Sequence, residues 1–180
     1  MGTSRWVSAS MPYLMPSENG QGDAWAADAA VQGRRGTQRI VYAGEAPAPA
    51  EVARLFGLPE REPVVVRRRV ILLDDQPNEL TDTYYPTSIA RGTALAGTAK
   101  IRGGAVTLLA QLGHVGALVR EDVVADMPDE EERKALQTAP GEPVLRLTRL
   151  TLDRDDQPIQ IDCMVMPGRR QRLRYEIRME

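Results

Sequence analysis

The sequence is short of the residues that much enzyme chemistry requires. Cys163 is its only cysteine and His114 its only histidine, which excludes internal disulfides, zinc-finger ligand sets and any mechanism built on two imidazoles. No apolar run exceeds four residues, the length reached at residues 70–73. The first residues also lack the basic-then-apolar order of a secretion signal, so neither a membrane span nor export is expected and the reading is cytoplasmic. Aromatic residues make up only 4% of the chain and the formal charge is -2, which argues against both a basic duplex-binding surface and a stacking platform for single strands. No cofactor and no metal are expected.

What remains is 180 residues, enough for one globular domain with a real core and some spare length. Of the 23 basic residues only Lys100 and Lys134 are lysines. Arginine's planar fork suits anion recognition, although a GC-rich coding bias produces the same imbalance. Residues 1–39 hold Pro12, Pro16, Gly20, Gly22, Gly33 and Gly36 without a sustained apolar period. They read as a linker or arm, partly disordered, whose isolated aromatics Trp6, Tyr13 and Trp25 either pack on the domain or a partner subunit or are incidental.

The folded unit is expected over residues 40–180. Residues 49–56 carry apolar positions at helical spacing and stop at Gly57, which predicts a short helix. Residues 63–73 are rich in β-branched side chains, Asp74-Asp75-Gln76-Pro77 reads as a turn, and residues 79–85 alternate as a returning strand. The same order returns with a helix over residues 129–136, a strand over 142–152, a turn at Asp155-Asp156-Gln157-Pro158 and a strand over 159–166. Glu62-Pro63-Val64 matches Glu142-Pro143-Val144, Arg69 matches Arg149 and Leu72 matches Leu152 at an offset of 80, and Gln76-Pro77 matches Gln157-Pro158 at 81. Chance likeness of two hairpins is the alternative to a duplication. A duplicated unit too small to bury its own apolar face should pack on its copy, leaving a pseudo-twofold sheet with a cleft between the halves.

Between the copies, residues 101–113 predict a helix that opens at Gly103-Gly104, buries Val106, Leu109 and Leu112, and closes at Gly113. Its start reads as an anion site of amide donors or as plain turn chemistry. Further strands are expected over residues 118–125 and 173–177. In residues 64–73 the even positions form the better core face, so Arg67 and Arg69 share the other face, where two guanidiniums could grip a carboxylate or phosphate. Glu79, Thr81 and Thr83 share one face of the returning strand, and Gln160 and Asp162 take the corresponding places of Glu79 and Thr81 in the second copy. An exposed sheet face is the alternative for these polar rows. Tyr85 and Arg149 line or brace the cleft, Arg149 reading as an ion-pair partner on a strand that also carries Asp153. His114 reads as a cation at a helix C-terminus.

The order of these motifs resembles the UTRA effector-binding domain of the HutC branch of GntR-family bacterial transcription regulators. The match rests on residues 62–70, on Asp74-Asp75-Gln76-Pro77 running to Tyr84-Tyr85-Pro86, on residues 89–95, and on residues 143–149 continuing through Asp153 to residues 158–162. The resemblance implies a chorismate-lyase-like α+β fold, a mainly antiparallel sheet with flanking helices. It also implies a small-molecule pocket, a tendency to form homodimers, and contact with operator DNA only through a winged helix-turn-helix domain, for which this chain shows no pattern; the paired arginines make an anionic metabolite the expected occupant. In the resembling family, arginines of the strand that holds Arg69 contact the effector, and Arg69 is the one that transfers by position. Carboxylates usual in that family fall on Thr81 and Gln160, with Glu79 and Asp162 as neighbours able to substitute. Gly103 and Ala105 stand where relatives place a hydroxyl and an aromatic, leaving backbone donors at Gly103 and Gly104. Two other functions fit the same residues. One is a chorismate-lyase-like enzyme using Arg69 with Glu79 or Asp162; the other is a dimerisation module with a self-filled cleft.

Overall fold

A computed structural model describes residues 6–16, 24–177 and 179. Its centre is a six-stranded antiparallel sheet with flanking helices, an α+β arrangement. In chain order the elements are β1 (Trp6–Ser8), α1 (Ala24–Val31), β2 (Gly36–Pro47), α2 (Ala50–Phe56), β3 (Pro63–Leu73), β4 (Gln76–Pro86), α3 (Thr87–Ala90), α4 (Ala105–Gln111), β5 (Leu118–Asp126), α5 (Glu130–Leu136), β6 (Val144–Leu152), β7 (Pro158–Pro167) and β8 (Gln171–Leu173). The large sheet runs β2-β3-β4-β7-β6-β5, and β1 pairs with β8 in parallel as a separate two-stranded ribbon.

Local chemistry sets the element ends. Helix α2 follows Pro49 and stops at Gly57, whose φ of 66° is a left-handed conformation that costs glycine little. Helix α5 begins with a full capping box, the Asp129 carboxylate accepting from Glu132 N and the Glu132 carboxylate from Asp129 N. Asp74 and Asp75 both adopt positive φ, at 49° and 65°, which matches the twist of a tight hairpin between β3 and β4. The second hairpin turns differently. There the Asp153 carboxylate accepts from Asp155 N and Gln157 N, each at 2.9 Å, absorbing the inserted residue.

Alternation divides β3 into two faces, but the even one is not the better buried: Arg68 is exposed on it and Leu72 only partly buried, whereas Val65, Arg67, Ile71 and Leu73 of the odd face are buried. Val64 and Val66 face α2 and pack with Val52, Ala53, Phe56, Tyr84, Leu150 and Ile161 in the main apolar cluster. Arg67 and Arg69 share the opposite face. That second face is not solvent. Three smaller apolar clusters surround its polar centre: Val65, Tyr85, Ala90, Leu95 and Leu109 in the first, Trp6, Trp25, Ala29, Ile71 and Leu73 in the second, and Leu147, Met164 and Met166 in the third.

The sequence expectations need correction in several places. The described part of the segment before Ile40 is packed on the sheet. Trp6 and Trp25 are buried and meet edge to face at a centroid distance of 4.9 Å, Trp25 Nε1 donates to Leu72 O at 2.9 Å, and the boundary expected at Ile40 falls inside β2. Gly36 permits this docking, because a Cβ there would lie 2.7 Å from Trp25 Nε1. Gly20 and Gly22 lie outside the described residues. Helix α4 opens at its N-cap Gly104 as expected but spans only seven residues; its short contact face is Ala105, Leu108 and Leu109, so Val106 is only partly buried and Leu112 is exposed. The strand expected over residues 173–177 ends at Leu173, since beyond the bond from Arg174 N to Ser8 O Tyr175 and Ile177 are exposed. Among the described residues no helix is long and apolar enough to cross a membrane.

Candidate functional site

Strand pairing places the polar residues of β3, β4, β7, β6 and β5 in adjoining rows on the second face. Arg67 lies opposite Thr83, Arg69 opposite Thr81 and Ile71 opposite Glu79; Thr83 is opposite Asp162; Asp162 is opposite Arg149 and Gln160 opposite Thr151; Arg149 is opposite Glu121. A period of two on each strand is sufficient to gather these residues once the register is set. The rows expected from the sequence therefore adjoin within one sheet.

A hydrogen-bonded relay runs through the centre. Arg69 Nη2 donates to Thr83 Oγ1 at 2.8 Å, Thr83 Oγ1 donates to Asp162 Oδ1 at 2.7 Å, and Gln160 Nε2 donates to Asp162 Oδ2 at 2.8 Å. Arg69 Nη1 also reaches Gln38 Oε1 of β2 at 3.4 Å. Thr81 donates its hydroxyl to the partly buried Glu79 carboxylate. Burial pushes the Glu79 carboxyl above its ordinary range, and the bond from Thr81 with the charges of Arg69 and Arg149 opposes that rise. Tyr85 is fully buried, and burial followed by the charge of Asp162 raises its phenol far above the usual value, so it remains a neutral donor.

Two donors in this centre are left over. Arg69 Nε and the Tyr85 hydroxyl are buried and find no hydrogen-bond partner among the described residues. An unsatisfied buried donor costs about 1–3 kcal/mol, and a ligand oxygen would remove the penalty.

Arg67 is engaged elsewhere. Its guanidinium donates to the carbonyls of Ala94 at 3.0 Å, Leu95 at 3.3 Å, Ala99 at 3.2 Å and also Gly97, clasping the loop that follows α3. Burial lowers the pKa of this arginine, and the converging carbonyl dipoles take the place of water around it. Gly103 and Gly104 adopt φ of 78° and 87° directly before α4. They serve as turn and cap, on the side of the sheet where α4 covers Val65 and Tyr85. His114 follows α4 and bonds through its backbone N–H to Leu109 O.

The sequence reading missed the pairing of Arg149. Its Nε donates to Glu121 Oε1 of β5 at 2.6 Å in a buried ion pair, and its Nη2 donates to Ser10 Oγ at 3.1 Å. Asp153, the partner suggested by sequence proximity, is occupied by turn amides. Alternation on β5 could have flagged Glu121, but no local signal points to Ser10. Among the described residues no group of three or more His, Cys, Asp and Glu side chains could hold a metal ion. Cys163 lies against the main apolar cluster, and burial pushes its thiol up to about 12, far from a nucleophile's range.

Comparison with known proteins gives a consistent result. The family model described as UTRA domain matches residues 31–172. An uncharacterized HTH-type transcriptional regulator of Streptomyces coelicolor is 31% identical over 162 residues, covering 87% of this chain, and the chain spans 60% of that relative's length. Among solved structures, PhnF from Mycobacterium smegmatis superposes with a TM-score of 0.76 at 20% identity, covering 89% of this chain and 70% of that one. The C-terminal domain of the histidine utilization repressor from Pseudomonas syringae superposes with a TM-score of 0.63 at 24% identity, covering 81% of this chain and 100% of that one.

Proposed function

The chain belongs to the UTRA domain family and is an effector-binding domain of the GntR-family transcription-regulator type, and from that premise we propose that the polar centre of its sheet receives a small metabolite with an anionic group. The observation that carries this reading is the pair of buried, unpartnered donors, Arg69 Nε and the Tyr85 hydroxyl. Both can serve an oxygen of a carboxylate or phosphate, Arg69 with its charge and Tyr85 with a neutral O–H. Asp162, Glu79, Gln160, Thr81 and Thr83 offer acceptors and hydroxyls for the rest of the ligand. Gly103 and Gly104 border the same side, and Arg67 acts by holding the loop over the site.

The duplicated architecture belongs to this reading. The strand order β2-β3-β4-β7-β6-β5 mirrors about its centre, and each hairpin carries a register shift at matching positions, Ile71/Leu72 and Thr151/Leu152. Helix α2 packs on β7 and α5 on β4, each helix covering the other half's strand. These features support a pseudo-twofold unit with the ligand face spanning the halves. In the whole regulator, a winged-helix domain attached to this one binds operator DNA, the effector shifts the spacing of two such heads in a homodimer, and the location is cytoplasmic. A differential affinity of about tenfold to a hundredfold between two arrangements, roughly 1.4–2.7 kcal/mol, is enough to change operator occupancy. The family assignment displaces the lyase alternative.

The test is recovery of the ligand. Denaturing the purified protein and analysing the released small molecules by mass spectrometry should yield an anionic metabolite that raises the melting temperature when added back, and Arg69→Ala should remove that rise. A folded domain stabilised by no carboxylated or phosphorylated metabolite would overturn the reading.

A further inference from the structure

We propose that the effector carries a second recognised group, a neutral carboxamide, held by Trp6 Nε1 and Gln171 Oε1 at the Glu79 end of the polar face. The inference rests on the ligand-binding reading and adds to it the chemical class of the ligand's far end.

Trp6 and Gln171 are register partners in the parallel pairing of β1 with β8, so their side chains leave the ribbon on the same side. That side faces the sheet, since Trp6 is 2% and Gln171 4% exposed. Trp6 packs with Ile71 and Leu73, whereas Leu173 at the other end of the ribbon packs on Leu147, Met164 and Met166. The ribbon therefore follows one border of the polar face, where Ile71 is the register partner of Glu79 and Met164 that of Thr81. Gln171 Nε2 donates to the carbonyl of Asn78 at 3.0 Å, which sets the Gln171 side chain beside Glu79. Tyr13 packs against the Trp6 cluster and donates its hydroxyl to Asp28 Oδ2 at 2.7 Å, so Trp6 is seated as a fixed part of that wall.

Each of the two side chains presents an unmet atom there. The Trp6 indole N–H, a donor, and Gln171 Oε1, an acceptor, are buried and find no hydrogen-bond partner among the described residues. Neighbouring orphans of opposite sense call for one group that both accepts and donates. A carboxylate or phosphate brings Gln171 Oε1 no hydrogen and meets the Glu79 carboxylate, and an ammonium brings the indole no acceptor. A hydroxyl answers both orphans but has no hydrogen left for Glu79. A primary carboxamide answers all three: its oxygen accepts from Trp6 Nε1, and its two hydrogens go to Gln171 Oε1 and to the Glu79 carboxylate. The row of Arg69 and Thr81 stands two residues from that of Ile71 and Glu79, about 7 Å along the strands. A carboxylate on Arg69 and a carboxamide on the second pair are thus joined by a linker of about three methylene groups.

Glutaramate, glutarate and hexanoate share a carboxylate and a similar length, and end in a carboxamide, a carboxylate and a methyl group. Titrated calorimetrically into the full chain, glutaramate should bind at least ~10-fold tighter than either of the others, because each of those leaves the buried pair unmet. In Trp6→Phe, which keeps an aromatic ring and removes the N–H, that preference should fall to within ~3-fold, and Gln171→Met should reduce it likewise. In unaltered protein carrying isotope-labelled tryptophan, glutaramate should move the Trp6 indole proton downfield and leave that of Trp25, which is bonded to Leu72 O, in place. Equal affinities, tighter binding of glutarate, a preference retained in Trp6→Phe or an unmoved Trp6 indole at saturation would each overturn the inference and leave the pair to a buried water only. The ligand-binding reading stands in that case if Arg69→Ala abolishes the binding that remains. Binding of none of the three also overturns the inference, and the metabolite recovered by mass spectrometry then decides the ligand-binding reading by itself.

Discussion

Thr83 Oγ1 donates to Asp162 Oδ1 at 2.7 Å across 79 positions of sequence. The bond joins the return strands of the two hairpins where they meet at the middle of the sheet. It also orients Thr83 to accept from Arg69, so the guanidinium that would hold an effector is positioned from the opposite half of the domain. On the proposed reading, ligand binding and the pairing of β4 with β7 share one set of hydrogen bonds.

Replacing Asp162 by alanine removes the acceptor of both Thr83 and Gln160. The expected loss is about 1–3 kcal/mol, because buried donors lose their partner without regaining water. Denaturant unfolding of Asp162→Ala, Thr83→Val and the double variant measures it. The double variant should lose less than the sum of the singles, since the residues act through one bond.

Arg67→Ala should loosen the loop at residues 94–99. Its guanidinium gathers four carbonyls, and their loss should cost roughly 2–4 kcal/mol, with faster amide exchange confined to that loop and α4. Arg67→Lys should recover only part of the stability, because an ammonium lacks the planar fork. Full recovery by lysine would show that charge alone matters there.

Stability should fall on both sides of an intermediate pH for separate reasons. Glu79 has a raised carboxyl pKa, its burial outweighing the bond from Thr81 and the nearby arginines. Its contribution is complete below the ordinary carboxylate value and is lost as pH rises through the raised one. Glu121 has the opposite shift: burial would raise it, but Ser10, Arg149 and Tyr175 together hold it below the usual range. Its contribution exists above the ordinary value and is lost as pH falls through the depressed one. Melting curves across pH should show Glu79→Gln flattening the first loss and Glu121→Gln the second. Glu121→Gln should also cost about 3 kcal/mol near neutrality, by leaving the buried Arg149 charge uncompensated.

Trp6→Ala should lower stability by about 3–5 kcal/mol if residues 6–16 unfold together with the sheet, and by far less if they open on their own. Chemical unfolding followed by Trp25 emission and by far-ultraviolet circular dichroism separates the two cases. Non-coincident transitions are expected.

Much of the frame was legible before any coordinates. Residues 63–73 form β3 as the β-branched run indicates, Gly57 ends α2, and the alternation that places Arg67 beside Arg69 holds because one face of β3 is claimed by α2. The role of Arg67 was not legible, since its acceptors are backbone carbonyls that any residue type could supply. Arg149 misled by proximity: Asp153 is near in sequence, whereas Glu121 is its neighbour across β5 and β6.

Sequence by itself determined the periods, the caps and the turns, because these depend on side chains within a few positions of one another. It thereby determined which residues share a face. Only the tertiary structure decided which faces meet, that Ser10 lies against a pair 111 and 139 residues away, and which buried donors remain without acceptors. Those outcomes depend on strand order and on the docking of the arm, where the free energy comes from burying Trp6 and Trp25 against the sheet rather than from any local preference of the chain.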